Sequence, residues 1–159
     1  MPRRRRVSGP HDRRLHPEHA CVAAESRDGV TVAAVVSVGL SNTSNAGITP
    51  PLAASSGTIN AILLVEAAPT PGAMVNAVIT ATEAKTMTLA EWDVRTPQGD
   101  PASGTSTDSV VVVACTQCGA EPRYAGPGIT VGWLVASTVC AAGASAGEPT
   151  ARRLPQASV

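Results

Sequence analysis

The chain has 159 residues and a formal net charge of zero, so we expect a single domain that buries about 70% of its unfolded surface. It has no Phe, one Tyr and two Trp, so Ala and Val must supply most of the core. The net charge is +5 over residues 1–14 and −5 over the rest of the chain. The acidic body argues against a nucleic-acid-binding protein, and we find neither a run of about 18 apolar residues that would span a membrane nor an apolar segment typical of a secretory signal.

The first segment, residues 1–28, is polar, rich in Arg and His, and shows no apolar periodicity. We interpret it as a disordered basic tail, because no aromatic residues lie between its arginines as they do in nucleic-acid-binding arms. The folded domain is then expected over residues 29–147, followed by a frayed C-terminus over residues 148–159.

Two strands are predicted after the tail. Val30–Val38 is an apolar, β-branched run that ends at Gly39, and Thr58–Glu66 is a second run of the same kind. Residues 39–57 lie between them and carry Gly, Ser, Asn and a Pro-Pro pair, which indicate a loop.

The first helix is predicted to begin at Thr70 and Pro71 and to run to about Glu91. Thr is a favourable N-cap residue, and Pro suits the first helical position because the N–H that it lacks would have no partner there. The Gly, Pro and hydroxyl residues of segment 95–107 then indicate a second loop.

The C-terminal part is predicted to add a third strand, Ser109–Cys115, and a second helix from Ile129 to about Ala144, which would end near Gly143 or Gly147. The order β-β-α-β-α predicts an α/β fold in which a layered sheet of at least three strands packs with two helices. The first helix would cross between the second and third strands, which favours parallel, right-handed pairing of those strands. Because the strands are nearly continuous apolar runs, we expect both sheet faces to be covered. A domain this thin could also cover its apolar faces by forming a homo-oligomer.

Polar groups follow or interrupt the first two predicted strands. Ser41 and Asn42 follow the first strand, a common place for sites in α/β proteins, although Asn42 can instead form an Asx-type turn. Asn60 lies inside the second strand, where a buried carboxamide without a partner costs about 1–3 kcal/mol. Asn60 is therefore either bonded to neighbouring backbone or directed at a ligand.

One face of the first predicted helix carries a polar stripe. Asn76, Thr80 and Glu83 lie at steps of four and three residues and so share a face. That face is either a solvated surface or a binding face. Lys85 lies about 200° around the helix from Glu83, and we interpret it as a surface lysine whose stem rests on apolar neighbours.

The loop before the third strand, Ser103–Asp108, carries four hydroxyl groups and one carboxylate, and its Gly104 would allow close approach of a ligand. Such a loop can present a Ser or Thr nucleophile, or backbone N–H groups that stabilise an oxyanion. The alternative is a hydroxyl-rich turn in which Asp108 bonds to nearby backbone.

The four cysteines do not predict a disulfide framework, because without an export signal the cytoplasm is the expected location. Cys115 and Cys118 have C-x-x-C spacing, but a zinc site would need two more ligands, and all three His residues lie in the tail. A thioredoxin-like motif would begin a helix, whereas Cys115 ends a predicted strand. We therefore predict neither a bound metal nor a cofactor.

Taken together, five blocks of this sequence resemble the CbiZ-type adenosylcobinamide amidohydrolases. In family order and at family-like spacing, they are Val38–Asn42, Gly57–Ala67, Thr70–Val94, Ser103–Ala114 and Tyr124–Val135. The resemblance covers residues 30 to about 145, and its most specific part is the combination of TATEAKT with the later GTSTD. Two departures lead us to expect a shortened member: nothing in residues 1–29 matches the family's longer N-terminal region, and its TGTxTD block reads SGTSTD here.

The resemblance implies an amidohydrolase of corrinoid (cobalamin) salvage. Its reaction would be hydrolysis of the aminopropanol amide of adenosylcobinamide to adenosylcobyric acid, so the expected partner is a small-molecule corrinoid substrate. The alternative is a truncated, non-catalytic corrinoid-binding remnant, because the segment that the family carries at its N-terminus has no counterpart here. A third alternative is a structural or interaction domain that no longer binds corrinoids.

Hydrolysis of an amide needs a nucleophile, a stabilised oxyanion and a proton for the leaving amine. We expect the general base to be Glu83 or Asp108. It would act on water, or it would activate Thr105 or Thr107. Asn42 and Asn60 would donate hydrogen bonds to the oxyanion or to the side-chain amides of the corrin. The full set of residues predicted to bind substrate is Ser41, Asn42, Asn60, Asn76, Thr80 and Gly104.

Overall fold

A computed structural model describes residues 20–51, 56–115, 117 and 119–151. Within these residues, the strands are β1 (Ala20–Arg27), β2 (Val30–Val38), β3 (Thr43–Ser44), β4 (Ile59–Val65), β5 (Gly104–Thr105) and β6 (Ser109–Ala114), and the helices are α1 (Pro71–Glu91) and α2 (Thr130–Ala151). The fold is therefore mixed α/β, as the order of apolar segments predicts.

The main sheet contains four strands in the order β1-β2-β4-β6. β2 runs antiparallel to both β1 and β4, whereas β4 and β6 are parallel, as predicted from the helix between them. Val38 pairs with Ile59, and Asn60 pairs with Ser109. The end of β2 and the starts of β4 and β6 consequently lie at the same end of the sheet, and the candidate site forms there.

β1 falls in the segment that the sequence analysis interprets as a tail. It forms a hairpin with β2 through Asp28 and Gly29, whose φ angles are 52° and 77°. A type I′ turn requires positive φ at both central residues, and Asp-Gly is one of the pairs that favour it. The strand itself is rich in Ala and ends in polar residues, so a search for apolar runs does not detect it.

Both helices pack on one face of the main sheet. α2 lies against β1 and β2, and α1 lies against α2 and β6. Alternate strand residues such as Val32, Val36 and Leu63 point into this core and are almost completely buried. The buried side of α1 is mostly alanine, so the helix approaches its neighbours closely, in agreement with a core built from Ala and Val.

The other face of the main sheet is uncovered in the part of the chain that the structure describes. Five large apolar side chains on it are 42–68% exposed: Val22, Ile62, Leu64, Val111 and Val113. For the described residues, the prediction that both faces are covered is therefore wrong. A continuous apolar run shows that both faces can be buried, but it does not show that the same chain supplies the second cover.

The two predicted helices are present. Thr70 caps α1 by accepting a hydrogen bond from the Ala73 N–H at 3.2 Å, and Pro71 occupies the first helical position. α2 continues past its predicted end and into the segment predicted to be frayed. Gly147 lies inside the helix and packs against Trp92, where a Cβ would lie only 2.5 Å from the indole Cζ3.

α2 is also the one described helix that is long and apolar enough to cross a membrane, over Thr130–Gly147 with a mean hydropathy of 1.3. However, 56% of that segment is buried inside the fold. A core helix has the same length and composition, and the packing of α2 on β1, β2 and α1 accounts for its apolar character.

The described cysteines are in two states. Cys115 is disulfide-bonded, which differs from the expectation of reduced cysteines, whereas Cys21 and Cys140 are free thiols. Cys118, the other member of the C-x-x-C motif, lies outside the described residues.

Candidate active site

The candidate site forms where two distant loops meet. β3 follows β2 and β5 precedes β6, and the two short strands pair with Thr43 opposite Thr105 and Ser44 opposite Gly104. The Ser103 N–H also donates to the Ser44 carbonyl at 2.9 Å. This small second sheet places the polar residues after β2 next to the hydroxyl-rich loop before β6.

Asp108 is the centre of the site. Its Oδ1 accepts hydrogen bonds from the Ile59 N–H at 2.9 Å and from the Thr105 hydroxyl. Its Oδ2 accepts from the Thr105 N–H at 3.0 Å and from the Lys85 ammonium at 2.5 Å. One carboxylate thus joins the start of β4, the loop of β5 and the middle of α1. The alternative in which Asp108 bonds to nearby backbone is observed, and it coexists with an ion pair.

Lys85 reaches Asp108 across Gly104. The side chains of Lys85 and Asp108 are only 16% and 14% exposed. A Cβ at Gly104 would lie 2.5 Å from Asp108 Oδ2 and 2.7 Å from Lys85 Nζ, so only glycine leaves room for the pair. The sequence predicts that a ligand approaches at Gly104, whereas in the structure the ammonium group of Lys85 fills this space.

A cavity of about 290 Å³ lies between α1 and the helix-covered face of the main sheet. Its walls are largely apolar and include Val36, Leu89 and Trp92, while Lys85 and Asp108 belong to its polar lining. The cavity therefore combines an apolar interior with a charged pair that is itself mostly shielded from solvent. Within the described residues, no group of three or more His, Cys, Asp or Glu side chains could hold a metal ion.

Ser41 and Asn42 pack against the loop that leads into β4. Gly57 has a φ of +127°, and a Cβ there would overlap Asn42 Oδ1 and lie 2.6 Å from Ser41 Oγ. The Ser41 hydroxyl donates to the Ser56 carbonyl, and Asn42 is buried whereas Ser41 is exposed. Both residues therefore hold the loop that positions the start of β4, beside the Asp108 cluster.

Asn60 lies on the sheet face opposite the cavity. Its neighbours Ile59 and Ala61 line the cavity, and successive residues of a strand point to opposite faces. The Asn60 Oδ1 accepts hydrogen bonds from the Thr58 hydroxyl at 3.2 Å and the Ser109 hydroxyl at 2.7 Å. Neighbouring groups thus bond this carboxamide, although they are side chains and not the predicted backbone.

Thr107 links the same two loops from the exposed side. Its hydroxyl donates to the Gly57 carbonyl at 2.7 Å, and its own carbonyl accepts from the Thr58 hydroxyl at 2.8 Å. The structure therefore separates the two threonines that were predicted as nucleophiles. Thr105 contacts Asp108, whereas Thr107 fastens one loop to the other.

The sequence and this arrangement can be compared with known proteins. The family model of the adenosylcobinamide amidohydrolases, CbiZ, matches residues 16–153. The chain belongs to this family. An uncharacterized protein of Methanocaldococcus jannaschii is 40% identical over 85 residues, which are 52% of this chain and 32% of that relative. The match therefore spans about a third of the curated relative's length. No solved structure matches the chain.

In this CbiZ-family protein, the polar stripe of α1 is divided between different environments. Thr80 is buried and donates to the Ala125 carbonyl at 2.8 Å, which fixes the turn before α2. Asn76 is half-buried, and Glu83 is exposed and does not line the cavity. The structure therefore places Glu83 apart from the cluster in which Thr105 and Asp108 meet.

Lys85 is the residue of the Asp108 cluster that was not among the residues predicted from the sequence. Ala81 and Leu89 lie one helical turn before and after it, and both are 1% exposed. A lysine between two core-facing residues points toward the interior, where lysine is rare unless it is paired. That spacing was the available signal, and it would have directed a search for the carboxylate partner.

Proposed function

We propose that this protein hydrolyses the aminopropanol amide of adenosylcobinamide to adenosylcobyric acid, in cytoplasmic corrinoid salvage. The observation that carries the proposal is the Thr105–Asp108–Lys85 cluster beside an apolar cavity, in a chain of this family. A nucleophilic acyl-transfer site usually has three parts: a nucleophilic hydroxyl, a base that takes the proton of the hydroxyl, and a third group that orients the base.

The size of the cavity suggests that only one part of the substrate enters it. A space of about 290 Å³ accommodates the small aminopropanol arm but not the corrin macrocycle. The apolar walls suit the methyl group of the arm, and the corrin ring would remain outside. In this arrangement the scissile amide lies at the boundary, close to Asp108 and Lys85.

The hydrogen bonds suggest the path of the protons. Thr105 Oγ1 would attack the amide carbonyl while its proton passes to Asp108 Oδ1, to which it already donates. Lys85 would give a proton to the nitrogen of the breaking C–N bond, so that aminopropanol leaves as a neutral amine. Asp108 would then return a proton to Lys85 across 2.5 Å. Water would hydrolyse the resulting ester and restore Thr105, as in other covalent hydrolases.

Mass spectrometry tests the reaction directly. Purified protein mixed with adenosylcobinamide should release adenosylcobyric acid and aminopropanol. Thr105→Ala should lower turnover by roughly 100-fold or more, since the loss of a nucleophile or of its proton transfer costs at least that much, and Thr105→Ser should retain activity. Glu83→Gln is the control, because its carboxylate is exposed and takes no part in the hydrogen bonds around Asp108.

Three outcomes separate the possibilities. Normal turnover by folded Thr105→Ala would remove the proposed nucleophile, and loss of turnover in Glu83→Gln would transfer the role of base to Glu83. A folded wild-type protein that shifts the corrinoid absorption spectrum without releasing aminopropanol would instead be a corrinoid-binding protein.

A further inference from the structure

The outer side of β6 presents unpaired backbone groups. Cys115 donates its N–H to the Val65 carbonyl of β4 at 3.0 Å, and backbone groups of successive strand residues point to alternate sides. Val110, Val112 and Ala114 therefore turn their N–H and C=O groups away from β4. β6 is the last strand of the main sheet in the part of the chain that the structure describes, so these groups form an open edge.

The two edges of the sheet differ in how they are protected. β1, at the opposite edge, ends in Glu25-Ser26-Arg27, and charged side chains hinder pairing with another chain. β6 has the sequence SVVVVA and contains no charge, no Pro and no Gly. Strands of this kind readily accept a further strand.

α1 continues the apolar character of this edge. Val75, Val78 and Ile79 are 61%, 36% and 49% exposed, which is unusual for three apolar residues within two turns of a helix. Val78 lines the cavity together with Val110 of β6, so this side of α1 lies above the open edge. A partner at the edge would consequently contact both the strand and the helix.

We propose that β6 pairs antiparallel with β6 of a second copy, across a two-fold axis at Val112. In that register Val112 faces Val112, and Val110 faces Ala114, so the outward groups of each copy meet those of the other in about six hydrogen bonds. The axis is perpendicular to the sheet, and both copies carry their helices on the same side. The two α1 helices would then pack side by side, at the usual spacing of about 8–10 Å.

The composition of the interface favours a second copy of this chain as the occupant. A two-fold axis brings each residue close to its own copy, so a charge near the axis would be repelled, and neither β6 nor the exposed stretch of α1 has one. Residues 1–19 are poor candidates because they contain three Pro and six Arg, and Pro interrupts strand pairing. The dimer would join two four-stranded sheets into one continuous sheet.

Sedimentation velocity on the full chain, from roughly 1 to 100 µM, tests the proposal. The wild-type protein should sediment as a dimer. Val112→Pro removes an N–H that points outward, so it should spare the pairing with β4 and weaken the dimer at least about tenfold. Ile79→Lys should weaken it similarly through α1 without altering a strand. Val22→Lys is the matched control, because it adds the same charge to an exposed apolar residue at the far edge of the sheet.

A wild-type protein that is monomeric throughout this range would overturn the proposal. So would a dimer that dissociates on Val22→Lys but persists in folded Val112→Pro and Ile79→Lys, because that pattern would identify packing through the open sheet face. If Val112→Pro fails to fold by circular dichroism, Ile79→Lys decides the question alone. These readouts do not depend on amidohydrolase activity.

Discussion

At the scale of single residues, Asp108 determines how the site is built. Its carboxylate accepts four hydrogen bonds, two from backbone N–H groups, one from the Thr105 hydroxyl and one from Lys85. All four partners are donors, so only a group with acceptors on both oxygens fits this position. The same residue therefore supports the fold and holds the Thr105 hydroxyl that we propose as the nucleophile.

Asp108→Asn should destabilise the protein by about 3 kcal/mol. The amide places an NH₂ group against donors on one side and leaves Lys85 without its charge partner in a site that is mostly buried. Urea unfolding followed by circular dichroism measures the change. Asp93→Asn is the control, since Asp93 is an exposed partner of Arg95 with a positive φ that Asn tolerates, and we expect a change within about 0.5 kcal/mol. Equal effects of the two substitutions would contradict the structural role of Asp108.

The residues of this site were predictable to different degrees. Gly104, Thr105 and Asp108 lie within one stretch of five residues, and the density of hydroxyl groups before a strand was enough to select them. Lys85 comes from a helix 23 residues earlier, and its partner depends on how α1 lies across the sheet. Local spacing cannot identify that partner, although the apolar residues one turn before and after Lys85 indicate that it faces the interior.

At the scale of elements, capping and turn residues predict the ends of helices and strands correctly where local geometry sets the boundary. They mislead where tertiary packing sets it. Thr70 and Pro71 located the start of α1 because N-capping depends on a few neighbouring atoms. Gly143 and Gly147 were the predicted helix ends, but α2 continues past both, and Gly147 packs against Trp92. The Asp28-Gly29 pair is a strong signal for a hairpin turn. The strand before it has too few large apolar residues to be predicted from its sequence, so the hairpin was not predicted.

Thr70→Ala should destabilise the protein by about 1 kcal/mol, the usual effect of losing an N-cap oxygen. The hydroxyl accepts from the Ala73 N–H at 3.2 Å, and this bond is lost in the alanine variant. Thr70→Ser retains the oxygen and should be close to wild type. Thermal and urea unfolding compare the three proteins, and an alanine variant as stable as the serine variant would show that the cap contributes little.

Gly132→Ala should destabilise α2 at its first turn by roughly 2 kcal/mol, because overpacking typically costs about 1–3 kcal/mol. A Cβ at this position would overlap the carbonyl oxygens of Ala125 and Gly126, which are backbone atoms and cannot rotate away. Gly128→Ala is a matched control in the turn before α2, where nothing lies within 4 Å of the added carbon. It should be neutral or slightly stabilising, since alanine restricts the unfolded chain. Similar unfolding midpoints for both variants would argue against this packing.

At the scale of the whole molecule, the fold places helices on one face of its sheet and leaves the other face apolar and open among the described residues. The order of the apolar segments predicted the α/β class and the parallel pairing of β4 and β6 correctly. It could not predict the open face, because strands buried on one side and strands buried on both have the same sequence pattern when the outer residues are Val, Ile and Leu. Three-dimensional placement of the helices is what distinguishes them.

Adjacent leucines of β4 offer a direct measurement of this asymmetry. Leu63 is fully buried under the helices, whereas Leu64 on the open face is 45% exposed. Leu63→Ala should cost about 2–5 kcal/mol, since it creates a cavity in the core, whereas Leu64→Ala should cost less than about 1 kcal/mol, because little buried contact is lost. Both values come from urea unfolding at low protein concentration. A cost at Leu64 as large as that at Leu63 would mean that the open face is covered in solution, and a cost that rises with protein concentration would identify the cover as a second copy. Pairing through β6 predicts neither result, because that edge leaves Leu64 outside the interface.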